Sequence, residues 1–313
     1  MSVKKILLLC CCLGLPLFLF ARPQKENAVP LRVGIMPDAD SLPFMYARDY
    51  GFFQREGVAV ELIVFSNPQE RDAAIQAGRL DGAISDLLAA SFLAAGGYDF
   101  KVTSYTDGRY GIVVSAQSGI TDLTGLRGKR IGLSVNTIIQ YTVDAQLAAA
   151  GVAMSEYEAV AVPRMPLRLE MVLGGQIEAA SLPEPLLTAA VSGGGRLLST
   201  TDAGGIDAGI MLFSKKILDS RINDVKSFYR AYYKAALQIN ADPDACRDYL
   251  VEQDIFPESV KDTYRFVTYR KPGLPDDSQI KNVLDWLSGR ELLDAQLSPK
   301  DITDSRAIAE WSN

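Results

Sequence analysis

Histidine is absent from all 313 residues, which excludes Ser-His-Asp and Cys-His catalysis and every metal site built on imidazole. Cysteine is almost as scarce. Cys10, Cys11 and Cys12 crowd the N-terminus and Cys246 stands alone in the body of the chain, so an intramolecular disulfide is excluded there and no thiolate cluster can hold a metal. No excess of positive charge exists either: 32 Lys and Arg face 38 Asp and Glu, a net charge of −6. That balance argues against nucleic acid or an anionic membrane surface as partner. Residues 6–20 are apolar and uncharged, but the run is short of the roughly 20 residues a membrane-spanning helix needs. After Lys4 and Lys5 it reads as the apolar part of an export signal covering residues 1–21. Its removal takes two lysines and no acid, moving the net charge from −6 to −8. Cys10, Cys11 and Cys12 offer candidate lipid acceptors, although Leu9 precedes them where a small residue is preferred.

What the chain does have is a repetition. Leu31-Arg32-Val33-Gly34-Ile35 is echoed by Lys129-Arg130-Ile131-Gly132-Leu133, with the glycines 98 apart. Gly78-Arg79-Leu80-Asp81-Gly82-Ala83 is echoed by Gly175-Gln176-Ile177-Glu178-Ala179-Ala180, 97 apart. Two matches in one order at nearly one offset predict two similar α/β lobes. A length of 313 residues with 48% hydrophobic content gives each lobe a core.

The pass along the chain supports that plan. Residues 22–30 read as a tether. Strands are expected at 31–35, 59–65, 82–85, 102–105 and 111–115, alternating with helices at 43–50, 69–77 and 86–95, which indicates a mainly parallel sheet. The second lobe repeats the pattern over 116–208, and a strand at 210–213 returns the chain to the first lobe. The expected division is therefore 31–115 with 209–313 as lobe 1 and 116–208 as lobe 2, hinged near Ser115 and Gly205. Helices at 222–240, 242–253 and 276–288 are expected to wrap the outside, with Phe228, Tyr229, Tyr232 and Tyr233 as core contacts.

Several stretches together resemble a known family. They are Val33-Gly34 through Pro43, Ala47 to Val58 with its Gly51-Phe52-Phe53, Ala77 to Ala83, Asp122 to Gly132, and Pro166 through Ala180 to Leu182-Pro183-Glu184-Pro185. The chain resembles the solute-binding proteins of ABC importers, in the group with sulfonate, taurine, nitrate and thiamine-precursor binders, over about 31–213. The resemblance implies a two-lobed periplasmic-binding-protein-like fold of type II with extra C-terminal helices. It also implies an exported, monomeric, non-enzymatic protein, periplasmic or anchored to the outer face of the membrane, that hands one small molecule to a membrane permease. No cofactor and no metal is expected.

Loops where a strand ends and a helix begins are the candidate site, because free N–H groups there receive a polar ligand. In the first lobe these offer Asp38, Asp40, Ser41, Ser66, Asn67, Ser85 and Asp86. In the second they offer Ser134, Asn136, Thr137, Arg164, Pro183 and Glu184. Ser66, Ser85 and Asn136 serve equally as helix caps. Tyr105 is a candidate for stacking, along with Phe44, Tyr110 and Tyr141. Asp38, Asp40, Asp86 and Glu184 against Arg164 favour an amine or an N–H-bearing heterocycle, thiamine-precursor-like, over the alternative of a sulfonate, nitrate or other small anion. Enzymes on the same scaffold are the competing class; the pyrimidine synthases that resemble this family carry no export signal and depend on a histidine.

Overall fold

The computed structural model describes residues 29–202, 205–207, 209–254 and 258–311. The export signal, its cysteines, most of the tether and Gly204 of the expected return hinge lie outside the described residues. Among the described residues, ten strands form two five-stranded sheets. The first contains β1 (Leu31–Ile35), β2 (Val60–Val64), β3 (Gly82–Asp86), β4 (Phe100–Tyr105) and β10 (Gly209–Ser214) in the order β2-β1-β3-β10-β4. The second contains β5 (Tyr110–Val114), β6 (Arg130–Leu133), β7 (Glu158–Ala161), β8 (Ala179–Pro183) and β9 (Arg196–Thr200) in the order β7-β6-β8-β5-β9. Each sheet has one strand against the grain: β10 pairs antiparallel with β3 and β4, and β5 pairs antiparallel with β8 and β9. These two strands are the ones the chain uses to change lobes.

The repetition in sequence is a repetition in register. Gly34 of β1 pairs with Ala83 of β3, and Gly132 of β6 pairs with Ala180 of β8. A Cβ on Gly34 would come within 2.8 Å of Leu80 Cδ1, and one on Gly132 within 2.5 Å of Ile177 Cδ1. Both glycines make room for the apolar residue that precedes the acid of the second motif. That acid then closes the sheet end. Asp81 takes Arg32 N and Nη2, each at 2.9 Å, and Glu178 takes Arg130 N at 3.1 Å and Nη2 at 2.9 Å. Asp81 and Glu178 are thus strand-pairing residues.

The first passage between lobes falls at residues 106–109, earlier than the expected boundary at Ser115. Tyr110–Val114 finds its hydrogen-bond partners in β8 and β9, so it belongs to the second sheet. The return lies between β9 and β10. In the first lobe, the helices Leu42–Asp49 and Ile222–Ala241 pack on the sheet. Phe228 stacks on Phe44 with ring centroids 5.1 Å apart and on Phe53 at 5.4 Å, so the aromatic run is core. Gly51 adopts the left-handed φ of 70° that ends the helix before Phe52 and Phe53. A second apolar cluster runs across both lobes, from Leu87 and Leu88 through Ile138, Ile139 and Val143 to Val283 and Leu287 of the helix Asp277–Gly289. The C-terminal region accordingly touches both lobes: Trp286 Nε1 donates to Asp144 of the second lobe at 2.9 Å. Among the described residues no helix is long and apolar enough to cross a membrane.

Candidate ligand cleft

The carboxyl ends of β1, β3, β6 and β8 face a cavity between the sheets, where parallel α/β sheets place their ligands. The first lobe contributes Met36, Asp38, Pro68, Arg71, Ser85 and Asp86, together with Ile84. The second contributes Ser134, Thr137, Ile138, Ile139, Met165 and Pro183, and Tyr110 stands at the passage.

Arg71 is the dominant group. It lies in the first turn of the helix Pro68–Gln76, which Asn67 caps by accepting Glu70 N at 2.9 Å. Pro68 occupies the first helical position, and Arg71, three residues on, is 1% exposed. Its Nε donates to Asp72 at 2.8 Å and its Nη1 to the carbonyl of Ile84 at 3.2 Å. Its Nη2 makes no hydrogen bond among the described residues, standing 3.8 Å from Asp86 Oδ2. Ser85 Oγ is likewise without a partner. Two unmatched polar groups buried at one cavity cost free energy unless something in the cavity completes them.

The carboxyls around them are shifted. Burial pushes Asp38 well above the usual carboxylate range, with Asp40 adding to the effect, while Ser41 opposes it through bonds of 3.1 and 3.2 Å to Asp38 Oδ1. Burial also raises Asp86, against the attraction of Arg71 and the Ala89 amide it caps at 2.8 Å. Burial works against the Arg71 cation too, but Asp72 and Asp86 outweigh it and hold the charge in place.

Six of the expected site residues line the cavity: Asp38, Ser85, Asp86, Ser134, Thr137 and Pro183. Ser134 Oγ accepts Arg168 Nη2 at 2.6 Å, and Thr137 caps the helix Ile138–Ala149 by accepting Ile139 N at 3.2 Å. The other eight stand elsewhere. Asp40 is buried behind the cavity, where Thr106 Oγ1, the Gly108 amide and the Tyr110 hydroxyl bind its carboxylate. Ser41 is engaged with Asp38. Ser66 and Asn67 serve the helix after them, Ser66 Oγ donating to Glu70 at 2.9 Å. Tyr105 donates to the Lys271 carbonyl at 2.9 Å. Asn136 and Arg164 are exposed; Asn136 has a φ of 56°, and Thr137 is the residue that caps the helix. Glu184 accepts Thr188 N at 3.0 Å and Thr188 Oγ1 at 2.8 Å, and burial raises its pKa. Of the candidate stacking rings, Tyr110 lines the cavity, Phe44 is core, and Tyr141 packs edge-on against Trp286.

Arg71 escapes a reading by loops because it lies inside a helix, and its inward aim is a tertiary fact. One signal does point to it. Arg71 and Arg168 are 97 apart, the offset of the repeated motif.

Two α/β lobes closing on one polar-and-apolar cleft define a bilobal binding fold. The family described as NMT1/THI5 like matches residues 38–246, and the chain belongs to it. A putative ABC transporter periplasmic binding protein of Brachyspira hyodysenteriae is 22% identical over 236 residues, 70% of this chain and 67% of that protein. The 4-amino-5-hydroxymethyl-2-methylpyrimidine phosphate synthase of Schizosaccharomyces pombe is 28% identical over 123 residues, 38% of this chain and 35% of that protein's length. Among solved structures, the alkanesulfonate-binding protein SsuA of Xanthomonas axonopodis pv. citri, bound to MOPS, matches with a TM-score of 0.75 at 17% identity, covering 89% of this chain and 99% of that one. At that identity the likeness is one of fold.

Proposed function

We propose that this chain is the exported solute-binding component of an ABC importer, a binding protein and not an enzyme. Its ligand is a small organic anion, with a sulfonate as the first candidate. The observation that carries the ligand class is the pair of unmatched groups on one wall, Arg71 Nη2 and Ser85 Oγ, which offer donors to an acceptor oxygen. Burial disfavours the charged form of Asp38, which lessens its repulsion of an anion. The opposite wall of Ile138, Ile139 and Met165 suits a hydrocarbon portion, which favours an organic anion over a bare inorganic one. The charge count from loops alone left out Arg71, and its inclusion reverses the preference for an amine. A specific observation still supports the amine or heterocycle as second reading: Asp38 and Asp86 both face the cavity, and an ionised pair would accept N–H donors.

Native mass spectrometry of protein purified without refolding tests the proposal. A co-purified sulfonate or carboxylate mass is expected. A co-purified amine heterocycle would retire the anion, and a mixture of substrate and product masses would retire the binding role.

A further inference from the structure

Each of the two passages between lobes carries an acid, Asp107 in the first and Asp207 in the second. Arg270, in the segment that leads to the helix Asp277–Gly289, reaches both. Its Nε donates to Asp107 Oδ1 at 2.5 Å and its backbone N to Asp107 Oδ2 at 2.8 Å. Its Nη2 donates to Asp207 Oδ1 at 2.8 Å. The guanidinium lies over the Tyr105 ring, 3.8 Å from the centroid, so the fork is fixed on a third side. The carboxylates are themselves anchored. Asp107 is buried and accepts the Tyr232 hydroxyl of the first-lobe core at 3.3 Å, and Asp207 N donates to Gln279 Oε1 at 3.0 Å. A second tie joins the same passages, from Arg109 Nε to Asp202 Oδ2 at 3.0 Å. Arg270, Asp107, Asp207 and Tyr105 do not line the cavity.

We propose that Arg270 is a positioning residue, a clasp holding both interlobe passages in the arrangement that sets the Arg71 wall opposite the Met165 wall. It thereby sets the affinity of the cleft without touching what the cleft holds. The inference rests on the cleft-binding reading above. Rotation of the lobes changes the relation between the passages, and a planar fork with fixed donor directions fits one such relation. A lone exposed ion pair would matter little. Here one carboxylate is buried, the fork spans two chain segments, and the ring stack restricts it.

Arg270→Gln and Arg270→Lys test the clasp, because a lysine keeps the charge but cannot span both carboxylates. Hydrogen exchange of ligand-free protein is expected to quicken roughly 3- to 10-fold at residues 105–109 and 205–207 in both variants. The helix Ile222–Ala241 should keep its protection, the radius of gyration should rise, and propanesulfonate should bind more weakly by a similar factor. Exchange that quickens evenly across both lobes would reduce Arg270 to a general structural role and overturn the proposal. Unchanged exchange at the passages would overturn it as well. If the unaltered protein does not bind propanesulfonate, the anion reading fails, while exchange and scattering still decide the clasp.

Discussion

Arg71 and Arg168 are structural equivalents that differ in the use of one nitrogen. Each is buried on the helix that precedes the middle strand of its lobe, and each donates Nη1 to the third residue of that strand, Ile84 O at 3.2 Å and Ser181 O at 2.6 Å. Arg168 also places Nη2 on Ser134 Oγ at 2.6 Å and Nε on Val162 O at 2.9 Å. All three of its donor nitrogens are engaged within the protein. Burial alone acts on it, lowering its pKa to about 10, so it remains charged at neutral pH. Arg71 leaves Nη2 without a hydrogen bond among the described residues, 3.8 Å from Asp86 Oδ2. One arginine of the pair spends every donor on the protein, and the other lines the cavity with one nitrogen that makes no hydrogen bond among the described residues.

Opposite outcomes follow for the two. Arg71→Met keeps most of the stem's packing and removes the open donor, so affinity for the co-purified ligand should fall roughly 10- to 150-fold, the equivalent of about 1.5–3 kcal/mol for a hydrogen bond to a charged group. Arg168→Met leaves the Val162 and Ser181 carbonyls unpaired in the interior, which costs roughly 1–3 kcal/mol for each buried acceptor. Denaturant unfolding and calorimetry on both variants check this. Equal loss of affinity with equal loss of stability would deny the division of labour.

The pH dependence of stability should carry the mark of Asp40. Burial raises its pKa to about 6, with Asp107 adding to the shift and the Thr106 hydroxyl opposing it, against about 3.9 in an unfolded chain. Between those values the folded state binds more protons than the unfolded one, so stability falls as pH rises through the window. A shift of that size corresponds to a loss of up to about 3 kcal/mol. Asp38, Asp86 and Glu184 are raised by burial and act with the same sign. Glu178 acts oppositely, being held down to about 2 by Arg130, but its contribution is complete once an unfolded glutamate ionises above about pH 4.5. Denaturation midpoints are therefore expected to decline from pH 5 to 7.5. Asp40→Asn should flatten that decline in part. A slope unchanged by the substitution would remove Asp40 from the account.

The two-lobed fold was legible because its signals are local and doubled. The paired glycines, the Leu80-Asp81 and Ile177-Glu178 dipeptides and the arginines that meet their acids all recur at an offset of 97 or 98. The first change of lobe was not legible. Residues 106–109 number no more than a hairpin loop, and nothing in them tells that β4 and β5 part into different sheets. The cleft was legible where loops form it, at Asp38, Ser85, Asp86, Ser134, Thr137 and Pro183. Where helices turn a side chain inward, as for Arg71, or where an acid is claimed by the passage between lobes, as for Asp40, the outcome depends on packing that no local spacing encodes.

The glycines around Asp40 give the sharpest check on its place. A methyl at Gly108 would overlap the Asp40 carboxylate, and one at Gly209 would overlap both that carboxylate and the Thr106 hydroxyl. Gly108 and Thr106 lie in the first passage and Gly209 opens β10 where the second passage ends, so the acid is held where the two meet. Gly108→Ala and Gly209→Ala should each destabilise the protein by about 1–3 kcal/mol, the usual range for overpacking. Gly289→Ala is the control: nothing stands within 4 Å of a Cβ there, and at the end of its helix the change should be neutral or stabilising by up to about 1 kcal/mol. The coupling identifies the cause. If the Asp40 carboxylate is what the new methyl strikes, then Asp40→Ala vacates the space, and adding Gly108→Ala in that background should cost less than it does alone. Costs that simply add would mean that the methyl at 108 disturbs the passage by some other contact, and Asp40 would lose its assignment as the residue on which the two passages close.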